Sequence, residues 1–147
     1  MHSAVLLLHI ISATIWTGGH LVLALTILPR ALQQRSITEL QQFERGYERI
    51  GIPALITQVL SGLWLAYDFL PNVQRWFSLD GGISHLILCK LLLLATTVLF
   101  ALDARLRVIP KLSPQTLPSL ARHVIPVTVI SVLFVVCGVA FRTGWFA

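Results

Sequence analysis

Four uninterrupted apolar runs govern what this chain can fold into: Ala4–Leu28, Ile50–Leu70, Ile83–Ala104 and His123–Phe141. Each holds about the 20 residues a helix needs to cross roughly 30 Å of hydrocarbon. Alternation at period two is absent, which argues against a membrane β-barrel. Charged residues make up 12% of the chain and hydrophobic ones 56%, so the charged surface of a soluble domain is missing. The first run begins without a basic n-region and outlasts an h-region, so it reads as a span and not as a secretory signal. The expectation is an all-α integral membrane protein, one domain over residues 1–147, folded as an antiparallel bundle of four transmembrane helices.

Basic residues orient that bundle. Arg30, Arg35, Arg45 and Arg49 fall between the first two runs, and Arg105, Arg107, Lys111 and Arg122 lie around the link between the last two. The opposite side carries only Arg75 and Arg142. The positive-inside rule then places both basic loops in the cytoplasm and both termini on the outer, periplasmic side of a bacterial inner (plasma) membrane. This asymmetry accounts for the net charge of +5 without a nucleic-acid partner. The basic surface also suits anionic lipid headgroups.

The connections carry turn and cap signals. Ser36 followed by Glu39 reads as a capping box, starting an amphipathic helix near Ile37 that runs into the second span. Pro53 is expected in the first turns of that span, where a missing N–H costs little. The outer loop has Pro71, an Asp80-Gly81-Gly82 turn, and Trp76-Phe77 suited to the interface. Trp145 and Phe146 would anchor the last span at the same level.

Polar residues inside the spans are the candidate chemistry, because lipid disfavours them and they usually face a bundle interior. At about 100° per residue, His9, Ala13, Trp16, Thr17 and His20 form one stripe, with the two histidines about 16 Å apart along the axis. In the third span His85, Cys89, Thr96, Asp103 and Arg107 share a face, with Lys90 beside it. Counted from the outer surface, His9, His85, Cys89 and Cys137 lie at similar depth. Imidazole and thiolate together suit copper, Cu(I) above all, or zinc. One histidine from each of two helices can instead clamp a haem iron, as His9 with His85 or His20 with His123.

Plainer roles compete with each of these. The cysteines can be packing groups or a disulfide pair. His20 can hydrogen-bond the backbone or Thr17. His123 can be an interface residue, and Asp103 can pair with Arg107 one turn away.

The blocks "LLHIISATIWTGGHLVLALTILPRAL", "FERGYERIGIPALITQVLSGLWLA", "KLLLLATTVLFALDARLRVIPKL" and "HVIPVTVISVLFVVCGVAFRTGW" resemble the copper-resistance D (CopD) domain in its short, stand-alone bacterial form. The resemblance implies copper binding or transport through His9 and His20, supported by His85, Lys90, Cys89 and Cys137. A periplasmic copper-binding protein is the partner such a role calls for. The same blocks are similar, more distantly, to HemJ-type protoporphyrinogen oxidases, which implies haem b with His9 as an axial ligand and Lys90 on a propionate or substrate carboxylate. Relative to those oxidases, a Tyr-His pair is missing after Arg30, and Arg122-His123 replaces their Asn-Glu.

Overall fold

In the computed structural model, residues 1–79 and 81–145 are described, so the Asp80 part of the expected turn and the Phe146 anchor lie outside the described residues. Four helices account for most of the chain: α1 (His2–Gln34), α2 (Thr38–Phe69), α3 (Gly82–Lys111) and α4 (Leu117–Thr143), all long and apolar enough to cross a membrane. No strand occurs among the described residues.

Each helix outruns its apolar stretch. At about 1.5 Å per residue, 33 residues of α1 reach some 50 Å, well beyond a hydrocarbon core of about 30 Å. The extra turns lie mostly at the basic end. There α1 passes Pro29, and α3 reaches Pro110, through single π turns at Leu23–Ile27 and Ala104–Val108. A helical proline collides with the carbonyl four residues earlier. For Pro29 that is Leu25 and for Pro110 Leu106, the middle residue of each π turn. The wider turn carries that carbonyl aside and lets the helix continue.

Three local expectations are corrected. Pro53 lies well inside the continuous helix α2, not in its first turns. The capping box does not close: Ile37 is the cap residue without a side-chain bond, and Ser36 Oγ only reaches the Thr38 N–H at 3.4 Å. Instead α1 ends on Arg35 in the left-handed conformation (φ 49°), with the Ser36 N–H bonded to Ala31 O. Trp76 is buried, whereas Phe77 is exposed as expected of an interface residue. The Trp76 indole N–H donates to Leu70 O at 2.8 Å, which folds the outer loop back onto the end of α2.

α1 packs between α2 and α4, and α3 packs on α4. The tightest apolar packing is at the basic end, where Leu28, Ala31, Leu40, Val108, Leu117, Leu120 and Val124 form one cluster. A Glu48–Arg105 ion pair (3.0 Å) ties α2 to α3 at that end. Large side chains such as Leu25, Ile56, Leu60, Leu92, Leu99 and Val129 point outward on all four helices. A soluble bundle would hide that surface, and a lipid-embedded one need not. The α1 histidines, Lys90 and the two cysteines lie in the middle and toward the opposite end.

Candidate functional site

The α1 stripe survives in three dimensions, and its two histidines are held in the same way. His9 Nδ1 lies 3.1 Å from Gln58 O and 3.0 Å from Ser61 Oγ on α2. A carbonyl only accepts, so Nδ1 carries the hydrogen. Ser61 agrees with that assignment, since its own hydroxyl donates to Thr57 O at 2.6 Å and leaves a lone pair for the imidazole. Gly62 makes the approach possible: a Cβ there would stand 3.0 Å from His9 Cε1. With Nδ1–H committed, the lone pair of a neutral His9 is on Nε2.

His20 repeats the pattern within its own helix. Its Nδ1–H donates to Trp16 O at 2.9 Å, again leaving Nε2 without a hydrogen-bond partner among the described residues. The ring lies against Trp16, centroids 4.3 Å apart, and edge-on to Tyr47 at 6.0 Å. Tyr47 donates its hydroxyl to Trp16 O (3.0 Å) and Ile15 O (3.2 Å), crossing from α2 over Gly19. A Cβ on Gly19 would overlap the Tyr47 ring, which explains the glycine that precedes His20. Between the two histidines, Thr17 donates to Ser131 O across the α1–α4 contact, and Thr128 donates to His20 O and Val124 O.

The third-span row comes out differently. His85, Cys89, Thr96 and Arg107 are exposed, and α3 buries Ser84, Ile87 and Thr97 instead. His85 and Cys89 open with Leu88, Leu92 and Thr96 onto a shallow outward groove. The row therefore does not face the interior as a whole. Cys89 and Asp103 are the exceptions: Asp103 reaches His123 on α4, and the Cys89 sulfur turns toward the same helix, 3.8 Å from Cys137 Sγ, with both thiols free. Lys90 is half-buried beside them, with Nζ 5.6 Å from the Phe141 ring centroid. Phe141 follows Cys137 by one turn on α4, and Lys90 follows Cys89 directly on α3.

Both ring nitrogens of His123 are engaged. Its Nδ1–H donates to Ser119 O at 2.9 Å, and Nε2 lies 2.7 Å from Asp103 Oδ2. Asp103 also holds Arg107 at 3.2 Å, the pairing expected one turn away. Of the histidines expected opposite His9 and His20, His85 points outward and His123 has both nitrogens engaged. Among the described residues no three His, Cys, Asp or Glu side chains gather within metal-holding distance.

Sequence reasoning missed Gln58, Ser61 and Tyr47. The signal was present, because Gln58 and Ser61 are polar residues one turn apart on a span, next to Gly62. The Gln58 side-chain oxygen is buried with no hydrogen-bond partner among the described residues.

The family model for copper resistance protein D matches residues 41–141, about two thirds of the chain. The chain belongs to the CopD family. No curated protein and no solved structure matches it significantly. With four helices of spanning length and composition, this CopD chain is a multi-pass membrane protein of a copper-resistance family. The matched region contains His85, Cys89, Lys90, His123 and Cys137, while His9 and His20 precede it on α1.

Proposed function

We propose that this CopD chain binds copper inside its bundle and passes it along the membrane normal, with His9 and His20 as successive stations. The observation that carries the reading is the shared tautomer: both rings donate Nδ1–H to a main-chain carbonyl and keep Nε2 as a lone-pair donor. Metal-ligating histidines are held this way, because the second hydrogen bond fixes the ring and raises its basicity. Imidazole is a copper ligand, and the family supplies the metal. The two stations are about 16 Å apart along α1, too far to share one ion, so each would bind and release in turn. The positive-inside rule puts the basic end in the cytoplasm of a bacterial inner membrane, which makes His9 the outer station and a periplasmic copper carrier its natural donor.

The test is metal content and an absorption spectrum on one purified sample. The expected result is stoichiometric copper that falls in His9→Gln, with no Soret band. A haem spectrum, or copper content unchanged in both His9→Gln and His20→Gln, overturns the reading.

A further inference from the structure

The thiol pair lies off the histidine stripe, on a different helix contact, and has its own chemistry. Cys89 on α3 and Cys137 on α4 bring two sulfurs to 3.8 Å from helices that otherwise bury only apolar and hydroxyl groups at this level. Lys90 is the one lysine within the four apolar runs, and no carboxylate pairs with it among the described residues. An ammonium at that depth calls for an anion. Beside neutral thiols it has none.

We propose that Cys89 and Cys137 form a two-coordinate cuprous site, the Cu(I) held between both thiolates and the complex neutralised by the Lys90 ammonium. The charges select the ion. Two thiolates with Cu(I) carry one negative charge, which Lys90 cancels, so the loaded site is neutral in a low-dielectric setting. Two thiolates with Zn(II) would already be neutral and leave the ammonium unmatched. Zinc also requires four ligands, and the described residues offer no third His, Cys, Asp or Glu here. Soft sulfur donors favour Cu(I) in any case.

Geometry permits the site with little movement. With metal–thiolate bonds of about 2.3 Å, a linear unit spans about 4.6 Å, so the sulfurs would part by roughly 0.8 Å through side-chain rotation. Loading replaces two S–H bonds with two Cu–S bonds and releases two protons; no electron moves. The site rests on the copper reading above for its cargo, but on neither histidine.

The reduced full-length chain in lipid nanodiscs, titrated anaerobically with Cu(I) against a cuprous chelator, tests this, with maleimide alkylation counting free thiols. One Cu(I) per chain should protect both cysteines and produce an ultraviolet thiolate-to-copper band, and one equivalent of Zn(II) should protect neither. Cys89→Ser or Cys137→Ser should weaken cuprous affinity about 100-fold, and Lys90→Gln about 10-fold at unchanged stoichiometry. Circular dichroism of each variant checks that the helices remain. Cu(I) kept by His9→Gln but lost from the double serine variant supports the thiol site even if the histidine reading fails. The converse, or two alkylated thiols at saturating Cu(I), overturns the thiol site while leaving the histidine reading standing.

Discussion

His9 and His123 differ in what their second nitrogen meets, and on the proposed copper reading that difference separates a binding group from a structural one. His9 leaves Nε2 open, whereas His123 gives Nε2 to Asp103. Replacing His123 by Gln should therefore weaken the α3–α4 contact and leave copper binding unchanged. Asp103 keeps Arg107 and is partly exposed, so the loss should be small, about 1 kcal/mol, read as a lower denaturation midpoint in detergent. Gly62→Ala should do the reverse. The new methyl meets the His9 ring edge at 3.0 Å, and α2 itself gains helix propensity of up to about 1 kcal/mol. Stability should hold while copper affinity falls about 10-fold, the usual scale for disturbing the support of a ligand. An affinity that stays at the wild-type value in a folded Gly62→Ala chain would remove the support that α2 is said to give His9.

At the level of helices and turns, the chain carries its prolines by two devices. Pro29 and Pro110 are each preceded by a π turn centred four residues earlier, while Pro53 and Pro126 are absorbed inside α2 and α4. The Ser36–Glu39 spacing misleads because Arg35 takes the left-handed conformation, and the chain turns there before Ser36 can cap. A non-glycine residue in that conformation is strained by roughly 1–2 kcal/mol. Arg35→Gly relieves the strain but adds freedom to the unfolded chain, so a net gain of up to about 1 kcal/mol is expected. A raised thermal midpoint checks it, and a lowered one would mean that the guanidinium contributes more at the basic end than the backbone loses.

For the molecule as a whole, length and hydropathy reveal the four spans, but they do not reveal how the spans are turned. In water a helix marks its buried face by polarity; in lipid both faces are apolar. Polar residues were the remaining guide. They worked for α1, where His9, Thr17 and His20 face neighbouring helices. They misled for α3, where His85 and Thr96 point outward while Lys90, one residue off the row, turns toward Phe141. Depth was legible where rotation was not, which is why Cys89 and Cys137 fall at one level as their positions implied.

Orientation depends on charge alone. Eight of the eleven Lys and Arg residues lie at the basic end, against Arg75 and Arg142 at the other, with Lys90 between. If that end is cytoplasmic, the thiol pair and His9 lie in the outer half, within reach of periplasmic copper. Single cysteines at Ser78 and at Gln115, placed in a chain with Cys89→Ser and Cys137→Ser, sit in loops at opposite ends of the bundle. A membrane-impermeant maleimide applied to cells with a permeable outer membrane should label Ser78→Cys at once. Gln115→Cys should react only after the inner membrane is opened. The reverse pattern would turn the bundle over, put the thiol pair and His9 in the cytoplasmic half, and make His20 the station nearer the outside.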